Sequence, residues 1–157
     1  MTKPQYLRHK EPNMKISTKG RYALRMLYDL AVHQDEGYIS LKDIAERQNI
    51  SKKYLEQIVP LLNRSGILKT NRGNHGGYLL AQKPDMLSVG DILRATEGSL
   101  APVSCLEFDP NECPRAADCS TLFIWEGLYK AVSEYLDGIS LQDIIDRSSL
   151  SSGDYCI

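Results

Sequence analysis

Three cysteines fall in a stretch with no helical or strand period: Cys105, Cys113 and Cys119, spaced C-x7-C-x5-C. Thiolates are soft ligands. Three on one loop can hold a soft metal or an iron–sulfur cluster, or stand as buried or redox-active thiols with no metal. Zinc favours tighter C-x2-C pairs, so the spacing speaks against a zinc finger. A second group carries different chemistry. The run Asn71-Arg72-Gly73-Asn74-His75-Gly76-Gly77 places a guanidinium and an imidazole among glycines. Glycines let a backbone come close to a phosphate, and an arginine suits a narrow minor groove. Enzyme chemistry finds no support. There is no nucleophile–base pair, no HExxH and no phosphate loop, and His9, His33 and His75 are scattered.

The composition, 157 residues with 42% hydrophobic and 25% charged, is that of a globular chain of one domain or one domain with an appendage. No apolar run is long enough to span a bilayer and the first residues hold no apolar signal core, so a cytoplasmic location is expected. The 4 cysteines are too few for a disulfide scaffold. The net charge of −1 conceals a division: residues 1–84 carry +8 and residues 85–157 carry −9. The basic part can attract polyanions. The acidic part holds all the cysteines, which suggests two jobs.

The basic part reads as three helices and a hairpin. A first helix is expected over 17–34, because Ala23, Met26, Leu27, Leu30 and Ala31 follow the spacing of one buried face. Lys15, Lys19, Arg21 and Arg25 crowd its start, where cations oppose the helix dipole unless an anion sits there. Ser40 with Asp43 caps a second helix, with Ile39 stapled onto Ile44. The same grammar recurs at Ser88–Asp91 and Ser140–Asp143. Ser51 caps a third helix running to about residue 64, with Lys52, Lys53, Tyr54, Glu56 and Gln57 outward near its start. Pro60 is expected to bend or end it. A short helix, a tight turn and a helix with a polar first turn describe a helix-turn-helix. The hairpin after it, with Arg72, Gly73 and His75 in its loop, reads as a wing. The fold class is therefore mainly α, a winged helix-turn-helix, and double-stranded DNA is the expected partner. Glu56 can accept from a cytosine amino group and repels phosphates.

In the acidic part a fourth helix is expected over 88–97. The cysteine loop follows, then a long helix over 121–136. That helix is apolar on two faces: Leu122, Trp125, Tyr129, Val132 and Leu136 on one, Ile124, Leu128 and Tyr135 on the other. One face can pack on its own chain and the other on a second copy, so a long C-terminal dimerisation helix and a homodimer are expected. A short helix over 141–146 and a flexible tail over 147–157 complete the reading.

The stretches from Met14 to Leu24, Tyr54-Leu55-Glu56-Gln57 and Arg72 to Leu80 resemble the winged-helix transcription regulators that include IscR, NsrR and CymR. The likeness covers 14–146. Such proteins start at the residue matching Met14, which leaves 1–13 as an extension expected to be disordered; 14–84 is the DNA-binding domain and 85–146 the cysteine loop and dimerisation region. The resemblance implies a homodimer on a palindromic operator. Phosphate contact would come from the start of the first helix (Lys19, Arg21), major-groove reading from around Lys53 to Gln57, and minor-groove insertion from Arg72, with Ser40, Ser51, Lys52, Gly73 and His75 also in the expected DNA-binding set. For IscR-like members it implies a 2Fe-2S cluster on three loop cysteines, which match Cys105, Cys113 and Cys119. Cluster binding beside the long helix would shift the pose of the two DNA-binding units. Two departures stand out. The first cysteine gap is longer here. The fourth-ligand positions of IscR-like and NsrR-like members fall on Leu122 and Arg21, which leaves Glu107, Asp109, Glu112, Asp118 or a residue of the other subunit. The ending, with Tyr155, Cys156 and Ile157, resembles tails of CymR and serine acetyltransferase that enter the active site of cysteine synthase. The expected function is a regulator, repressor-type, of iron–sulfur or sulfur/cysteine metabolism genes. Its control is by a cluster or, alternatively, by cysteine synthase with no cluster.

Overall fold

The computed structural model describes residues 15–153; 1–14 and 154–157, which hold the expected N-terminal extension and Tyr155, Cys156 and Ile157, lie outside the described residues. In chain order come α1 (Thr18–Val32), α2 (Leu41–Gln48), α3 (Lys52–Arg64), β1 (Leu68–Asn71), β2 (Gly77–Leu80), α4 (Val89–Glu97), α5 (Leu122–Asp137) and α6 (Leu141–Gly153). β1 and β2 form an antiparallel hairpin with Leu68 opposite Leu80 and Asn71 opposite Gly77. The fold is a mainly α winged helix-turn-helix, as the sequence predicts. No helix among the described residues is long and apolar enough to cross a membrane.

Serines start five of the six helices among the described residues, α5 following Thr121 without a side-chain cap. Ser17, Ser40, Ser51 and Ser88 each accept from a backbone N–H in the first turn, and Ser140 does the same for Asp143 at 3.1 Å. Such caps satisfy donors that a helix start leaves open. The recurrent Ser-x-x-Asp grammar has a spatial consequence. The starts of α4 and α6 lie side by side, with Val89 N–H donating to Ile139 at 2.8 Å and Leu141 N–H to Leu87 at 2.9 Å.

One hydrophobic core unites Met26, Leu27 and Leu30 of α1 with Ile44, Leu55, Ile58 and Leu62, and also with Leu87, Ile92 and Leu141. The charge boundary near residue 84 is therefore not a packing boundary. A smaller cluster of Val89, Leu93 and Leu100 receives Tyr129 and Leu136 of α5. No α5 residue is buried. Its Leu122, Trp125, Tyr129, Val132 and Leu136 are half-buried, while Phe123, Ile124, Leu128 and Tyr135 face outward, Phe123 at 71% exposure.

Two elements differ from expectation. α3 does not end at Pro60 but continues to Arg64. Pro60 and Glu56, the residue whose carbonyl Pro60 leaves without its helical donor, are both exposed. α6 continues to Gly153 rather than stopping at 146. No glycine or proline interrupts 147–152. The serine hydroxyls there turn back onto the helix: Ser148, Ser149 and Ser151 donate to the carbonyls of Ile144, Ile145 and Arg147 at 2.9, 3.0 and 3.1 Å. The expected tail is thus helical over most of its length.

Arg94 joins α4 to α5 by a two-pronged pair with Asp137, at 2.8 and 2.9 Å. The guanidinium holds the Asp137 carboxyl below its ordinary value of 3.8. A lowered folded value means that the pair's stabilisation is complete above the unfolded value and is lost as pH falls through the folded one. Urea titrations between pH 7 and pH 2.5 should show the Arg94→Ala chain losing less stability on acidification than wild type. Parallel acid limbs would refute the link.

Candidate nucleic-acid interface

The turn between α2 and α3 is built on Asn49, which adopts the left-handed conformation (φ 50, ψ 51) and returns its N–H to Ala45 and Glu46. Ile50 then buries into the core, and Ser51 restarts the chain by capping Tyr54 N–H at 3.2 Å. Lys52, Lys53, Glu56 and Gln57 all emerge exposed on the first turns of α3. Lys52 lies 3.7 Å from Glu56, so Glu56 tempers one of the two lysines and Lys53 is left without an ion-pair partner among the described residues. Tyr54 is a correction. It is half-buried, standing edge-on to Tyr22 of α1 at 5.2 Å between ring centres, because its ring completes the core where α1 and α3 meet. Ser40 caps α2, and its hydroxyl is engaged by Asp43 at 2.7 Å.

The end of α2 is pinned to α1. Asp29, 1% exposed, accepts from Arg47 Nε at 3.0 Å and Nη2 at 2.7 Å and from Gln48 Nε2 at 3.1 Å. This carboxylate raises the Arg47 guanidinium above its ordinary value. Arg25 donates to the Gln48 carbonyl and lies over the Tyr22 ring at 5.3 Å. It is thus committed within the chain, which leaves Lys15, exposed ahead of α1, and Lys19 and Arg21 on its first turn, Lys19 half-buried. Arg21 is exposed and donates to Thr18 Oγ1 at 3.0 Å. The Asp29–Arg47 clamp was not among the sequence candidates. Residue 29 lies off the apolar face of α1 formed by Ala23, Met26, Leu27, Leu30 and Ala31, so spacing alone gave no sign that α2 would bury it.

The wing is seated beside α2. Ile39, just before the α2 cap, exchanges both backbone hydrogen bonds with Tyr78 of β2, at 3.0 and 2.9 Å. Gly77 makes this approach possible, since a Cβ there would stand 2.4 Å from the Ile39 carbonyl oxygen. At the tip Arg72, Gly73 and His75 are exposed. Arg72 has no partner within the described chain. The expected DNA-facing residues thus fall on α1, on the start of α3 and on the wing, all held on one core.

The cysteine loop spans 98–121, with two short 3-10 turns at Ser104–Leu106 and Ala116–Asp118. Cys105, Cys113 and Cys119 are half-buried free thiols. Cys119 lies 3.5 Å from Thr121 Oγ1, and hydrogen bonds from Thr121 hold its thiol below the ordinary value. The donor chemistry suits iron–sulfur ligation, but the placement does not. Among the described residues no three Cys, His, Asp or Glu side chains converge on one point. A single chain in this arrangement does not fit a preformed cluster.

Comparison with known proteins agrees with this geometry. Residues 16–147 match the Rrf2 family model, described as an iron-dependent transcriptional regulator. Protein rrf2 of Nitratidesulfovibrio vulgaris is 43% identical over 91% of this chain and 95% of its own. The regulator CymR of Bacillus subtilis is 44% identical over 83% of this chain and 89% of its own. The solved structure of that CymR, described as the global cysteine regulator, superposes with a TM-score of 0.68 over 85% of this chain and 97% of that one. IscR of T. potens gives 0.67 over 85% and 88%, with 42% identity. With the family model covering nearly all the described residues and relatives this similar end to end, the chain belongs to the Rrf2 family of transcriptional regulators.

Proposed function

We propose that this chain binds palindromic operator DNA as a homodimer, with the start of α3 in the major groove and Arg72 in the flanking minor groove. The observation that carries the reading is the shared seating of two exposed basic groups, Lys53 on α3 and Arg72 on the wing, neither paired within the described chain. The outward apolar face of α5, with Phe123 and Tyr135 at 71% and 70% exposure, supports dimerisation through that helix. Two-fold pairing would set the recognition helices about one DNA turn apart. Selection from a random duplex pool should therefore return inverted half-sites centred about 10 base pairs apart. Recovery of no duplex at low salt would remove the reading.

The regulated genes are those of iron–sulfur or sulfur/cysteine metabolism, a reading supported by relatives named IscR and CymR. Two modes of control remain distinct. In one, Cys105, Cys113 and Cys119 hold a 2Fe-2S cluster, which requires the loop to rearrange or a second subunit to contribute. In the other, Tyr155, Cys156 and Ile157 bind cysteine synthase and the thiols carry no cluster. Anaerobic purification separates them. Visible absorbance with iron and sulfide, lost in Cys113→Ala, supports the first. A colourless protein that binds cysteine synthase only while Ile157 is present supports the second.

A further inference from the structure

Glu97 is the last residue of α4, and at Gly98 (φ 82) the chain leaves for the cysteine loop. Its carboxylate reaches back to the start of α1. Oε1 accepts from the Ser17 backbone N–H at 3.0 Å and from the Ser17 hydroxyl at 2.7 Å. Ser17 is the cap of α1, and its own bond from Gly20 N–H is long, 3.4 Å. The two helices approach so closely here that a Cβ on Gly20 would stand 2.4 Å from Glu97 Oε1 and 3.1 Å from the Leu93 side chain. One carboxylate oxygen thus holds two donors of the α1 start across 80 residues of sequence. Leu100 and Ala101, at the root of the loop, are themselves buried, and Leu100 packs with Leu93 of the same helix. The loop root, Glu97 and the α1 start are thus joined in one packed corner.

We propose that Glu97 is a positioning residue for DNA binding. It fixes the α1 start, with Lys15, Lys19 and Arg21, in the pose that meets the phosphate backbone, and through it a rearrangement of the loop root reaches the DNA-facing helix. The proposal rests on the reading of α1 as a phosphate-contacting element. Charge alone predicts the opposite sign: a carboxylate near bound phosphates weakens binding, so its removal would tighten it. Positioning predicts that removal weakens binding, and that glutamine, which keeps an acceptor for both Ser17 donors, preserves it.

The probe is a duplex that the wild-type protein selects from a random pool. Glu97→Ala should bind it about tenfold more weakly, while Glu97→Gln stays within about twofold of wild type. The slope of log affinity against log salt should become shallower by about 0.9 for Glu97→Ala, as expected when one phosphate fewer is neutralised. A loss of overall stability alone would leave that slope unchanged. Ser17→Ala, which removes the hydroxyl donor and the α1 cap but keeps the backbone donor, should weaken binding in the same direction, and its effect should be smaller in the Glu97→Ala background than in wild type, since the two share that bond. Tighter binding by Glu97→Ala, an unchanged slope, or additive single effects would each overturn the proposal. Should Glu97→Ala not fold, the slope of Ser17→Ala decides alone. A wild type that selects no duplex removes the DNA reading together with the proposal. A wild type that selects one, with an indifferent Glu97→Ala, removes the proposal alone.

Discussion

Arg72→Ala is expected to weaken operator binding by about ten- to a hundredfold, corresponding to about 1–3 kcal/mol for removing one groove-inserted side chain. The salt dependence should fall by about 0.9 in slope as well. The size of the effect follows from how the side chain is presented. Arg72 stands exposed between the end of β1 and Gly73. No carboxylate of the described chain neutralises it, so its charge is free for a ligand. The wing does not wave independently, because the Ile39–Tyr78 exchange ties it to the residue preceding the α2 cap. In the proposed complex the wing backbone is already placed while the unpartnered side chain is ordered only on binding, and deleting it is expected to remove affinity without altering the fold. Fluorescence anisotropy across a salt series checks both numbers. An unchanged affinity and slope would show that the wing tip does not touch DNA.

Asp29→Ala should destabilise the chain by about 3 kcal/mol, the lower end of the range for breaking a buried ion pair. The lower end applies because Arg47 is partly open to water and can rehydrate, its side chain being 32% exposed against 1% for Asp29. The loss comes from Arg47 and Gln48 donors left without their shared acceptor. The pair itself need not be a net stabiliser, since well-packed apolar replacements of both partners are often neutral. Asp29→Leu with Arg47→Leu should thus recover most of the stability that Asp29→Ala loses. The double variant should still bind DNA poorly, because the orientation of α2 against α1 is no longer fixed by directional bonds. Urea unfolding with the anisotropy assay tests both halves. Full DNA affinity in the double variant would confine the clamp to a role in stability.

Much of this architecture was readable from residue spacing. The apolar period of α1, the serine caps and the glycine-rich hairpin loop are local features, and local physics decides them. Pro60 does not end α3 because it falls on the solvent side of the helix, and that side is fixed only by how α3 packs. The end of α6 misled because serines look like breakers until their hydroxyls find carbonyls one turn back. Tyr54 looked free because its partner, Tyr22, lies on another helix. The Asp29 clamp and the Glu97 link escaped for the same reason: each joins residues far apart in sequence. Of the interface, the basic positions were legible, while the bonds that orient them were not.

The core shared between the two charge halves bears on how the molecule is made and unmade. Leu141, fully buried against α1, comes late in the chain, and the starts of α4 and α6 must meet before their backbone bonds can form. A nascent polypeptide therefore cannot seal its interior until almost all of it has been synthesised. A protease that clips within the 98–121 loop should leave the pieces clinging together rather than release a working amino-terminal fragment. Digestion at that loop is thus expected to yield one noncovalent complex, with the amino-terminal half never appearing as a separate domain.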